Sequence, residues 1–376
     1  MLRSSGFQAD VLPPPDEETI RLGEQYASGR ECHPYAILAG ELVRLLRSSS
    51  PGAEDVFLLP TCTSPCLLRQ YGDALRILLL REGLPKMEVW DAASPQIGLL
   101  VGTAGLLRLY TGLLATDILY TLAARLAPYQ HRRNLFEGLR AAALDSLASA
   151  VAGKRDIGQP LASAVESLWA SPRTGGPGMR PVVGVTGDLY TRINPAGNAG
   201  LFRRLEQMGC EVWPSPFFAN SALGAFLETR RKVEQGRLVD AASEQLAAFL
   251  TTTAGERLTA RLRPELRAPA VEPSPEELSR LARPYVGPRT HFLIVLTVAK
   301  IADFLRRGAA GVISAAGINC VVGTLTASVI PALRADFDGA PVLGLMYGGS
   351  EGPGQRIRLE TFVHQVQERW RRRPAA

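Results

Sequence analysis

No apolar core follows the start of this chain. MLRSSGFQADVLPPPD has none of the features of a secretion signal, so a cytoplasmic location is expected. An uninterrupted apolar run of about 20 residues, the length a membrane helix needs, is also missing. The most apolar stretch, 97–127, is broken by Arg108, Asp117 and several glycines, and it predicts buried helices with no membrane span. No CxxC pair nominates zinc, and the four histidines are dispersed, with His33, beside Cys32, the least unlikely of them as a ligand. GxGxxG and GKS or GKT phosphate loops are absent, as are repeats at solenoid periods. Basic residues are scattered except for Arg369, Arg371, Arg372 and Arg373, which read as a solvated helix end, so no nucleic-acid partner is expected.

What is present describes a globular α/β protein. Apolar residues are 46% and charged residues 21% of 376, enough to bury two cores without staples. The Pro- and Gly-rich segment 169–179, WASPRTGGPGM, marks the best boundary, giving domains 1–175 and 176–376. The last hundred residues alternate helix and strand, which implies parallel strands covered by helices. Five cysteines, an odd number in a chain this long, argue against a disulfide framework. Metal binding, catalysis or plain burial remain for them.

Three of the cysteines share one local setting. In FLLPTCTSPCLLRQYGDALRILLL, an apolar strand meets a small-residue turn, and Leu67, Leu68, Tyr71, Leu75, Leu78 and Leu79 then repeat at helical spacing. Cys66 therefore falls beside a helix start. Cys32 stands just before a helix that opens at Pro34, and Cys320 lies in AAGINCVVG between a strand and a helix. Helix starts offer free N–H groups and a partial positive charge to a thiolate. Cys32, Cys66 and Cys320 are thus candidate ligands of one iron–sulfur cluster in a cleft between two α/β domains, with one iron left open for chemistry.

Plainer readings stand beside this one. Cysteine is also a small buried hydrophobe, and Cys210, at a helix-to-strand junction, reads as structural. Cys62 is either a fourth ligand or buried. The loop 187–198 follows a strand and displays Asp188, Tyr190, Arg192 and Asn194 as a candidate substrate or cofactor-binding loop, although turn chemistry alone accounts for Asn194, Pro195 and Gly197. No catalytic residue is singled out.

The motifs ECHPYAILAGEL, LLPTCTSPCLLRQY, GDLYTRINPAGNAGLFRRLEQMGCEVWPSPF, AAGINCVVGTL and YGGSEGPGQRIRLETF resemble those of 2-hydroxyacyl-CoA dehydratase subunits and the related CoA-enzyme activase and double-cubane reductase proteins. The resemblance covers most of the chain. It implies two Rossmann-like domains with parallel sheets, additional helices and a 4Fe-4S cluster between them, on the positions matching Cys32, Cys66 and Cys320. It further implies an oxygen-sensitive low-potential reductase or a dehydratase-type hydro-lyase subunit acting on an acyl-CoA. Electrons would come from a separate ATP-hydrolysing activator, and the partner would be a homologous subunit or a second copy. The alternative is a non-catalytic partner or scaffold subunit. Around Cys66 the family's glycines are replaced by TCTSPC, Gln130 stands where an acidic residue is usual, and Gly348 where an Asp is usual.

Overall fold

The computed structural model describes residues 1–373 other than 50, 53, 62–65, 84–86, 93, 219–220, 288 and 349–352. The chain opens with helices α1 (Glu17–Glu24) and α2 (His33–Ser48), then strand β1 (Val56–Pro60), α3 (Tyr71–Arg81), β2 (Glu88–Ala92) and three helices, α4 (Ser94–Leu126), α5 (Arg133–Ala152) and α6 (Gly158–Trp169). The second half continues with β3 (Val182–Gly187), α7 (Leu201–Gln207), β4 (Glu211–Pro214), α8 (Ser221–Glu234), α9 (Leu238–Ala260), α10 (Pro264–Ala270) and α11 (Pro275–Ala282). It closes with α12 (Phe292–Arg306), β5 (Gly311–Gly317), α13 (Val321–Asp336), β6 (Val342–Tyr347) and α14 (Pro353–Arg371). The protein is α/β, and the six strands among the described residues fall where the apolar runs between turn signals place them.

The strands form two parallel sheets. β1 pairs with β2 alone, and the larger sheet has the order β4-β3-β5-β6. Its chain path moves outward from β3 to β4, then crosses back to β5 and on to β6. The connections leaving β3 and β5 therefore diverge at their carboxyl ends, which is the topological switch point where open α/β sheets hold ligands. Cross-strand register brings Gly187 opposite Ala315 at that edge.

Helix α12 is the spine of this half. Thirteen of its fifteen residues are buried, so the helix is covered on nearly every face, its buried charges Lys300 and Asp303 paired with each other. One apolar cluster runs from Ala39 and Leu42 of α2 and Phe57 and Leu59 of β1 through Leu75 to Leu296 and Val312. It thus contains residues from both 1–175 and 176–376. A second joins Leu114 to Leu126 of α4 with α5, α6 and Leu258.

Several helices differ from the sequence expectation. The sequence pattern predicts two helices, 97–114 and 116–126; the structure also has two helical pieces, but they meet at a kink at Gly102, where φ is 73° and ψ 163°, and α4 runs unbroken through 115. The second half of α4 is packed, but Leu99 is 87% exposed, so the apolar stretch is only partly the buried helix its composition predicted. By length and composition alone 96–129 is long and apolar enough to cross a membrane, at a mean hydropathy of 1.6. The run 221–258, which reads as helices in the sequence, is helical as expected and divides at Gly236 into α8 and α9. α6 and α10 were not expected. α10 begins with Pro264 in its first turn, where the missing N–H has no helical partner to lose, so a piece that reads as a connector is helical.

Candidate functional site

Cys32 and Cys320 are the N-cap residues of α2 and α13, and Cys66 caps a short 3-10 turn, Leu67–Gln70, that runs into α3. Neither Cys32 nor Cys66 caps its own helix, and the Cys32 sulfur meets the Tyr71 hydroxyl instead, whereas the backbone N–H groups of Val322 and Gly323 in the first turn of α13 act on the Cys320 sulfur. Cys32 and Cys320 are buried and Cys66 is half-buried.

The segments carrying Cys32 and Cys320 are tied directly. His33 donates its backbone N–H to the Ile318 carbonyl at 3.2 Å, and Asn319 Nδ2 donates to the carbonyls of Gly29 and Glu31 at 2.9 and 3.1 Å. Asn319 itself sits in the left-handed region, φ 63°, which asparagine tolerates better than most residues. Gly317 allows the approach: a Cβ there would stand 2.8 Å from Pro34 Cδ. The Cys66 arm reaches the same place through Tyr71, whose buried hydroxyl shares a hydrogen bond with Cys32 Sγ.

Electrostatics place the groups in one neighbourhood. Burial pushes the Cys32 thiol up to about 11, with the charges of Cys66 and Asp188 adding to the rise and the Tyr71 hydroxyl opposing it. The Cys320 thiol is pushed up to about 12, again by burial first and then by Asp188, with Cys32 a smaller contributor and N–H groups of its helix start opposing. Cys32 is the middle member of the set. Among the described residues, no group of three or more His, Cys, Asp or Glu side chains stands close enough to hold a metal ion.

Asp188, the first residue after β3, bridges the two diverging strand ends. Its Oδ1 accepts the backbone N–H of Tyr190 and Thr191 at 2.9 and 2.7 Å, and its Oδ2 accepts that of Gly317 at 2.7 Å. Burial nonetheless holds its carboxyl above the usual range, against the lowering effect of those donors. Gly187 before it has φ 132°, and a Cβ there would lie 1.8 Å from the Ala315 carbonyl oxygen. Only glycine allows this crossing.

The rest of the loop after β3 is mostly engaged with itself. Asn194 Oδ1 accepts the N–H groups of Ala196 and Gly197, and Asn198 bonds the Thr191 and Arg192 carbonyls and the Leu201 N–H. Tyr190 is half-buried, its phenol raised by burial and by Glu41. Arg192 is 1% exposed. Asn194 is thus a turn former and Asp188 a strut between loops; neither offers a free polar atom in the manner expected of a substrate contact.

Cys210 is fully buried among Leu201, Leu205 and Val212, a packing residue as its junction position indicated. His33 is buried with its imidazole pKa lowered by burial. Cys62 and the centre of the YGGSEGPGQR loop lie outside the described residues. Tyr71 and Asn319 were missed in the sequence, the first because an aromatic at helical spacing reads as core and the second because its value depends on a contact 290 positions away. Comparisons with protein-family models, with curated proteins and with solved structures find no match.

Proposed function

We propose that the chain is an iron–sulfur protein in which Cys32, Cys66 and Cys320 hold one 4Fe-4S cluster in a cleft between two Rossmann-like halves. It works as a low-potential reductase or 2-hydroxyacyl-CoA dehydratase-type subunit supplied with electrons by a separate ATP-dependent activator. The observation that carries the reading is the shared placement of three thiols at helix starts, two of them stitched together by Asn319 and His33 and the third brought in beside Tyr71. The absence of a tight group for a single ion is compatible with this donor set. In a cubane each thiolate binds a different iron, so the sulfurs stand further apart than around one metal.

When bound, such a cluster supplies one-electron chemistry, and an iron without a protein ligand gives a place for an oxygen of the substrate. The chain's own part is to hold the thiolates, to direct N–H groups of three helix starts at them, and to keep water from Cys32 and Cys320. Anaerobic purification should give a brown protein with about four irons per chain. Cys32→Ser, Cys66→Ser and Cys320→Ser should each lose most of that iron, and a colourless, folded, iron-free wild type would end the proposal.

The exposed apolar first half of α4 favours a second reading, a non-catalytic subunit that meets a partner chain. Turnover by the isolated protein with a chemical reductant would exclude it.

A further inference from the structure

Arg192 stands apart from the other polar side chains of the loop after β3. It is 1% exposed, and Nη2 donates to the Pro216 carbonyl at 2.6 Å. Its Nε and Nη1 are equally buried and have no hydrogen-bond acceptor among the described residues. Among the described residues no carboxylate comes within ion-pair distance; Asp117, Asp188, the phenol of Tyr120 and Glu272 act on the guanidinium only through space, opposing the desolvation that would strip its charge. A buried cation normally has its donors matched, because each unmatched one carries its full desolvation cost. Here two of three nitrogens are unmatched, at the edge of the sheet where the strand ends diverge.

We infer that Arg192 anchors a bound ligand by donating from Nε and Nη1 to an acyl oxygen, the carbonyl or carboxylate of a carboxylic acid derivative. Charge selects this class over phosphate. Asp117 and Asp188 act on the guanidinium through space, so a phosphate dianion would meet more repulsion from them than a neutral carbonyl or a single carboxylate, and two donors suffice for an acyl oxygen. Asp188 links the two parts of the site, its Oδ1 accepting from Thr191, the residue before Arg192, and its Oδ2 from Gly317 in the turn that leads to Cys320. The inference deepens the function proposed above and rests on it for placing substrate at this edge, but it needs no iron.

The test titrates the full chain with sodium acetate, acetamide and inorganic phosphate, following thermal unfolding. Acetate or acetamide should stabilise the wild type, and Arg192→Met should bind them at least about tenfold more weakly, the effect of removing a charged hydrogen bond. Arg192→Lys keeps the charge and loses the donor pair, so it too should bind weakly. Should Arg192→Met not fold, the wild-type arginine Nε–H resonance that is missing in Arg192→Lys should shift as acetate or acetamide is added. Stabilisation by phosphate alone, or no shift of that resonance with either acyl probe, overturns the inference. Iron loading separates the two proposals: acyl binding in a protein that takes up no iron sinks only the cluster, and a loaded protein indifferent to acetate and acetamide sinks only the Arg192 assignment.

Discussion

Replacing Asp188 by asparagine isolates the strut between β3 and β5. The carboxylate accepts three backbone N–H groups, two on Oδ1 from its own loop and one on Oδ2 from Gly317. Asparagine keeps one oxygen for Tyr190 and Thr191 but turns an NH2 group toward the Gly317 N–H, which then has no acceptor. A charge-assisted bond contributes about 1.5–3 kcal/mol, and a buried donor left unmatched costs about 1–3 kcal/mol. These overlap, so the expected loss is about 2–4 kcal/mol, a factor of roughly 30 to 1,000 in the unfolding equilibrium. Guanidinium unfolding followed by tryptophan fluorescence measures it. Because Gly317 opens the turn that carries Cys320, the same variant should also lose bound iron. Equal stability of Asp188→Asn and wild type, within about 0.5 kcal/mol, would refute the reasoning. It would mean that the carboxyl, raised by burial, already carries a proton and that its charge does not hold the strand ends together.

Two further outcomes follow from the half-buried Glu41 and the buried Glu211. Burial raises Glu41 of α2 to about 7, with Arg44 opposing, so the folded state holds the proton more tightly than the unfolded chain. Its contribution to stability is full below about pH 4.5 and is lost as pH rises through 7; Glu41→Gln should remove that loss, so the variant gains on wild type across this window in urea midpoints measured from pH 4.5 to 8. Glu211 is fully buried and accepts from Arg125 Nε, from the Tyr129 hydroxyl at 2.7 Å and from the Gly178 N–H at 2.6 Å. Glu211→Ala leaves Arg125 buried without its carboxylate and should cost about 3–5 kcal/mol in denaturant unfolding, with Glu211→Gln losing less because it can keep part of the set.

The parallel sheets and their strand positions are legible in the sequence because buried strands are short apolar runs closed by Gly, Pro or polar turns. The helices are less so. Pro264 and Pro269 read as a connector although both sit inside α10, and the sequence pattern divides α4 near residue 115 whereas its kink is at Gly102. At the site, local context marks Cys32, Cys66 and Cys320, since strand-loop-helix is a short-range pattern. Local context does not show which polar residues of the β3 loop are engaged. Asp188, Asn194, Asn198 and Arg192 look alike as displayed polar groups, and only the fold distinguishes the three occupied by backbone from the one with donors left over.

The stitch between Asn319 and the carbonyls of Gly29 and Glu31 joins points 290 and 288 positions apart. At about 5–20 residues per second, a ribosome needs roughly 15–60 s after the first cysteine has emerged before the last one can reach it. During that interval the early thiols lack their partner turn, and closing so long a loop is slow compared with forming local helices. Assembly of the sulfur pocket therefore waits on the segment around Cys320, long after the helices beside Cys32 and Cys66 can form.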